Sequence, residues 1–443
     1  MRIGLFIYDN GFEGVDLSNP NPGNPGVGGS EYCFAMFLFN YGQRHKNDAL
    51  LCFHINRNQY PKCSHDSIVS GVIDALHEAK ENRCDLFICW TNSIDEDVCK
   101  LADELQIGLV GWAHNFVGTA LLKLLKKHEY FYRVVFVGKE QHDKCVDDLA
   151  ITKTVTIENM YQVPAAPLPF RRNHYVVFTG ALRPNKGFHV LAEIWPQILK
   201  QVPDAELFVA GNGKLYDRSI KLGPYGIAEE SYEKQFMHYL LDDGGKIHHS
   251  VHFLGIVSDK RKLYEYARVG VVDPSCVPET LCVAAIEMES WGVPVVGGRK
   301  SGLIKSLWYQ GIIDAVWHRH TGLLHNGKKR MVKSIVKLLI NDDYYTRLSR
   351  CAPLYVQRRF DPELICGQWN DLFRRWERRV PSEPVRFGFN HLLNNGKIIR
   401  ILNHYIKILF PFLPSVSEWP EIYARLRTRL FRLSDKRRGG SNS

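Results

Sequence analysis

The 443-residue chain is 45% hydrophobic and 23% charged, an ordinary globular composition with room for two or three domains. It has no uncharged apolar run of 18 residues, which excludes a hydrophobic membrane-spanning helix; its 11 cysteines show neither C-x-x-C nor a zinc spacing and read as buried, reduced thiols of a cytosolic protein. The net charge of +10 is uneven: residues 371–443 carry 15 Lys and Arg against 6 Asp and Glu, so an anionic surface met by the tail is expected, and a nucleic-acid groove across the body is not.

From the first residue, apolar runs alternate with helical patterns. Strands are expected at 2–8, 50–55, 85–89, 107–112, 133–138 and 153–158, with helices at 30–45, 95–106 and 139–150 among them. Near-continuous Val, Ile, Leu and Phe runs separated by helices predict a parallel sheet covered on both faces. The opening "MRIGLFIYDNG" suits a buried strand better than a signal peptide. "VPAAPLPFRRN" (163–173) is proline-rich and reads as a linker. The pattern then restarts, with strands at 174–180, 205–211, 251–255, 269–274 and 293–298 and helices between them, followed by helices over 330–377. The fold class is therefore α/β: a Rossmann-like domain over 1–165, a second over 166–377, and a tail over 378–443. Two such domains place a ligand cleft between the C-terminal edges of their sheets.

Several segments could carry chemistry at that cleft. "PETLCVAAIEMESWGVPVV" (278–296) sets Glu279 in the turn before a helix opening near Leu281, and Glu287 about two turns inside it. Free amides at a helix start bind phosphate, and a carboxylate offers two acceptor oxygens to sugar hydroxyls. Taken singly, the two residues also fit a helix-start Glu and an ion-paired Glu. "NPGNPGVGGSEY" (21–32) brings Gly28, Gly29 and Ser30 to the first strand–helix turn, where backbone N–H groups can approach a phosphate or sugar and Ser30 suits an N-cap. "GWAHNF" (111–116) places His114 at the edge of the fourth strand, and "RPNKG" sets Lys186 before a helix as a partner for a diphosphate. "GGRKSGLIKSL" (297–307) suggests a loop near the ligand through Gly297, Gly298 and Gly302. "DED" at 95–97 opens a helix and reads as capping, not as a metal site.

"PSCVPETLCVAAIEMESWGVPVV" resembles the E-x7-E motif of family 4 retaining glycosyltransferases, which have the GT-B fold. "FTGALRPNKGFHVL" (178–191), "AELFVAGNG" (205–213) and "VHFLGIVSDKRKLYEYARVGVVDPS" (251–275) resemble that family's preceding elements in order and spacing, and the resemblance covers about residues 1–377. It implies transfer of a sugar from a nucleotide-diphosphate sugar, UDP-linked by expectation, with retention and with neither metal nor cofactor. It implies that Glu287 holds the ribose, that Glu279 holds sugar hydroxyls, and that the amides of Thr280 and Leu281 face the diphosphate. Lys186 would neutralise the leaving group, while His114 and the 28–30 loop would close over the sugar. Family members usually carry an arginine where this chain has Ala181. Arg183, two residues on, either replaces it or is a solvated loop residue. The alternatives are a non-catalytic sugar-nucleotide-binding scaffold and a sugar-nucleotide epimerase of the same fold.

The tail adds "KIIRILNHYIKILFPFLP" (397–414), with Ile398, Ile401, Leu402, Tyr405, Ile408 and Leu409 on one helical face and Arg400, Asn403, His404 and Lys407 on the other. "YARLRTRLFRLSDKRR" (423–438) interleaves Arg with Leu and Phe. Basic amphipathic helices lie on anionic membranes. The expected acceptor is thus a glycan or lipid-linked glycan of a bacterial cell-surface polysaccharide or lipopolysaccharide, met at the inner face of the cytoplasmic membrane. The other reading is a pair of helices docked on the body.

Overall fold

The computed structural model describes residues 1–165, 170–300, 311–381, 395–419 and 422–423. Its strands are β1 (Arg2–Ile7), β2 (Ala49–His54), β3 (His65–Ile68), β4 (Leu86–Trp90), β5 (Gly108–Ala113), β6 (Phe131–Phe136), β7 (Thr154–Thr156), β8 (Tyr175–Thr179), β9 (Glu206–Ala210), β10 (Val251–Gly255), β11 (Val269–Val272), β12 (Val295–Gly298) and β13 (Gly322–His325). Its helices are α1 (Gly29–Arg44), α2 (Val72–Glu81), α3 (Glu96–Leu105), α4 (Thr119–Lys127), α5 (Lys139–Asp143), α6 (Phe188–Leu199), α7 (Glu230–Phe236), α8 (Arg261–Tyr266), α9 (Val283–Ser290), α10 (Lys328–Ile340), α11 (Asp342–Phe360), α12 (Pro362–Glu377) and α13 (Asn395–Leu409).

Two sheets result, with strand orders β3-β2-β1-β4-β5-β6-β7 and β10-β9-β8-β11-β12-β13. Every pairing within them is parallel. Because both faces of each sheet are covered, central strands such as β5 and β6 are buried at every position. Each sheet reverses its strand order beside its first strand, between β1 and β4 and between β8 and β11, which opens a crevice at the carboxyl ends of those strands.

Some elements depart from expectation. The helix read over 139–150 is the five-residue α5, followed by a short 3-10 turn at 149–153. Asp95 caps α3 by accepting from the amides of Asp97 and Val98, as the reading of "DED" requires. Gly297 and Gly298 are strand residues rather than a ligand loop. A Cβ on Gly298 would lie 2.5 Å from the Cys276 amide, so that glycine is used for close packing on the loop after β11. Gly302 lies outside the described residues.

α12 leaves the second sheet and packs on α1, where Trp369 and Phe373 meet Phe37 at ring-centroid distances of 5.2 and 6.3 Å. The helices expected to finish the second domain thus end on the first.

α13 has the two expected faces but turns them the other way. Lys397, Arg400, His404 and Lys407 are buried, whereas Ile398, Leu402, Tyr405, Ile408 and Leu409 are exposed and Ile401 is half-buried. The reason is two acidic residues beneath the helix. Lys397 pairs with Asp143 at 2.9 Å and Arg400 with Asp147 at 3.3 Å, so the cations find their counter-ions in the body. Asp147 also accepts from Asn403 and from the Val416 amide. Residues 424–438 lie outside the described residues.

Candidate functional site

The crevice between the two sheets holds a cleft of about 580 Å³. Its floor comes from the second sheet. β8 runs into Gly180 and a turn that carries Lys186, and Gly187 follows at φ +74°. A Cβ there would lie 2.7 Å from the Ser275 amide nitrogen, so the glycine brings the Lys186 turn against the loop after β11. That loop starts at Asp273, a non-glycine residue at φ +41°, and ends at Cys282, the N-cap of α9.

α9 begins at Val283, two residues later than expected, so Thr280 and Leu281 line the cleft from the loop before the helix. The first-turn amides of Val283 and Ala284 are those that point from the helix start. The Thr280 hydroxyl is already engaged across the cleft, donating to the His114 carbonyl at 2.7 Å.

Both motif carboxylates hold lysines. Glu279 pairs with Lys186. Burial pulls the Lys186 ammonium down, but the Glu279 carboxylate outweighs it and holds the lysine well above its usual value. Glu287, 4% exposed, accepts from Lys260 at 3.1 Å on Oε1 and from the Tyr264 hydroxyl at 2.9 Å on Oε2. Each oxygen keeps a second lone pair for a ligand hydroxyl. Lys260 also donates to the Asn24 carbonyl at 2.8 Å, which ties the glycine loop of the first domain to the α9 carboxylate.

The roof belongs to the first domain. α1 is capped by Gly28, and Ser30 sits inside its first turn, so Ser30 does not cap the helix. The glycine loop is closely fitted. A Cβ on Gly23 would lie 3.0 Å from Glu287 Oε1, and one on Gly26 would lie 2.4 Å from Ile256. Gly28, Gly29, Ser30 and His114 all line the cleft. The His114 ring packs on Trp112 and Phe34, and its buried Nε2 has no hydrogen-bond partner. Burial pushes its pKa down to about 3, so the ring is neutral at pH 7 and can donate or accept a single hydrogen bond.

Arg183 stands behind the cleft wall, its guanidinium 5.3 Å from the ring centroid of Tyr216, which lines the cleft.

Three lining residues escaped the sequence reading. Lys260 lay within a quoted segment, yet nothing in its spacing distinguished it from its neighbours Arg261 and Lys262. Asp273, 3% exposed, has its carboxyl pushed up to about 8 by burial and by Glu279, and its Oδ2 is without a partner. Glu31, in the first turn of α1, is pushed up to about 7, chiefly by burial. Both shifts arise chiefly from burial, which spacing does not show. Among the described residues there is no group of three or more His, Cys, Asp or Glu placed to hold a metal ion.

Comparison with known proteins agrees with this geometry. Residues 173–341 match the family model described as Glycosyl transferases group 1. An uncharacterized glycosyltransferase of Haemophilus influenzae is 24% identical over 281 residues, which is 61% of this chain and 70% of that protein. Among solved structures, Anabaena HepE in complex with UDP-glucose superposes with a TM-score of 0.61 at 16% identity, covering 84% of this chain and 99% of the other. Sucrose-phosphate synthase from Thermosynechococcus elongatus superposes with a TM-score of 0.58 at 16% identity, covering 85% and 99%. The fold is GT-B: two parallel-sheet α/β domains facing across a cleft, with a helical C-terminal part.

Proposed function

We propose that the chain is a retaining glycosyltransferase that moves a sugar from a UDP-sugar to a glycan or lipid-linked acceptor, at the cytoplasmic face of a bacterial membrane during cell-surface polysaccharide or lipopolysaccharide synthesis. The observation that carries this reading is the pairing of Lys186 with Glu279 beside the start of α9, with Glu287 deeper on the same helix. The family match over 173–341 and the UDP-glucose bound by the HepE neighbour support it.

In this reading the ribose hydroxyls donate to Glu287, whose rotamer Tyr264 and Lys260 already fix. The diphosphate meets Lys186 and the first-turn amides of α9, displacing part of the lysine's contact with Glu279. Glu279 then accepts from the sugar hydroxyls, and neutral His114 meets the sugar from above. As the glycosidic C–O bond breaks, negative charge grows on the diphosphate, and a preorganised ammonium and helix start stabilise it more than the ground state. Asp273, protonated at neutral pH, can donate a hydrogen bond to a phosphate oxygen where a carboxylate would repel it. No side chain is assigned as a nucleophile.

The test is thermal unfolding with UDP, GDP, ADP and CMP, on the wild type and on Glu287→Gln. A ligand at ~100 times its dissociation constant adds about 2.7 kcal/mol. The expected result is a shift by UDP alone, largely lost in the variant. A protein whose midpoint no nucleotide moves has no donor site, and the proposal fails. Proton NMR of the product's anomeric coupling then decides retention.

A further inference from the structure

We infer that α13 is a membrane-inserting helix that enters an anionic bilayer by its apolar face, its own cations being kept out of the contact by Asp143 and Asp147. This deepens the membrane-facing part of the function proposed above and is independent of the donor assignment.

Between 397 and 413 the side chains sort completely. Every basic one, Lys397, Arg400, His404 and Lys407, is buried, and every exposed one is apolar or aromatic. Leu402, Leu409 and Phe412 are 58%, 75% and 81% exposed. A soluble protein rarely presents such a contiguous patch without a partner for it. The inward face is held by charge: Lys397 to Asp143, Arg400 to Asp147, and Lys407 donating to Ser415 at 2.8 Å. The helix is therefore docked by its polar side, and its apolar side is what it offers.

The chemistry around the face selects a lipid surface. Tyr405, Trp419 and Tyr423 are exposed along the same stretch, and such amphipathic rings favour the headgroup layer. Beyond it, residues 424–438 contain seven Lys and Arg against one Asp, a charge complementary to anionic headgroups. An apolar helix flanked by cations matches a bilayer better than it matches a second copy of this basic chain, which would bring like charges together.

The experiment is co-sedimentation of the full chain with phosphatidylcholine vesicles, with and without phosphatidylglycerol, and sedimentation velocity without lipid. The wild type should bind the vesicles that contain phosphatidylglycerol. L402Q/I408Q/F412Q replaces only exposed side chains and should weaken that binding at least about tenfold, with an unchanged melting temperature. R425Q/R427Q/R429Q should weaken it less and reduce its salt dependence. Binding that survives the first triple variant, or a wild type that binds no vesicle, overturns the inference; a lipid-free dimer lost in that variant would assign the face to a second copy instead. The UDP-induced thermal shift is read in the same samples. Its absence from the wild type would count against the donor reading and leave the vesicle result standing.

Discussion

At the scale of single residues, the cleft is a set of pre-neutralised charges. Lys186 is held by Glu279, and Lys260 by Glu287. A diphosphate must compete with Glu279 for Lys186, so the two members of that pair should respond oppositely to substitution. Lys186→Ala should weaken UDP about tenfold or more while leaving uridine unchanged, because a charged hydrogen bond contributes ~1.5–3 kcal/mol. Glu279→Gln should hold or improve UDP affinity and lower transfer, because the ammonium is released while a sugar contact is lost. Isothermal titration with UDP and uridine, set beside initial rates, separates the two.

Asp273 makes a pH prediction. Its ordinary value is 3.8 and its folded value about 8, raised chiefly by burial. Between those values the folded state holds a proton that the unfolded chain releases. Its stabilising contribution is full below 3.8 and is lost progressively up to about 8. Asp273→Asn removes this titration, so the variant's melting temperature should rise relative to the wild type's across that window and keep a constant offset above it. A difference that stays flat from pH 4 to 8 would mean that the carboxyl is ionised throughout.

At the scale of elements, the loops that shape the cleft depend on backbone freedom at Gly187. That residue combines φ +74° with a Cβ position 2.7 Å from the Ser275 amide. Gly187→Ala should cost ~1–3 kcal/mol, read by urea unfolding, and should displace Lys186 enough to weaken UDP. Most strands of both sheets were legible because burial on both faces writes itself as an unbroken apolar run, as in β1, β5 and β11. β3 and β13 were not: half of "HDSI" is exposed, and "GLLH" offers only two adjacent large apolar residues. The motif glutamates were legible through their spacing on a helix. Their pairing with lysines was not, even though Lys186 itself could be singled out: Lys186 is 93 residues from Glu279, and Lys260 is 27 from Glu287. The same limit explains α13. Its two faces could be read from the sequence, but which face turned inward depended on Asp143 and Asp147, more than 250 residues away.

At the scale of the whole molecule, a buried ionic cluster joins the two domains. Arg359, near the end of α11, pairs with Glu158 just after β7 and at 3.0 Å with Asp314 from the second domain. Asp314 in turn accepts from the Glu140 amide at 2.7 Å, at the start of α5. Arg359 also sits one residue before Phe360, whose carbonyl takes the Tyr161 amide at 2.8 Å. The chain thus recrosses between domains at a point pinned by charge. Removing Arg359 alone strands two buried carboxylates, which costs ~3–5 kcal/mol, whereas removing Arg359 together with Glu158 costs less because only Asp314 is then left without its cation. Arg359→Met should therefore destabilise strongly, and Arg359→Met with Glu158→Leu should recover part of the loss, measured as a double-mutant cycle in urea. If the cluster also sets the spacing across the cleft, the double variant should regain stability without regaining transfer rate, because two apolar residues restore packing but not the Arg359–Asp314 pair that holds the carboxylate bonded to the Glu140 amide at the start of α5. Equal recovery of both quantities would reduce the cluster to a stability device and leave domain spacing to the contacts of α1 with α12.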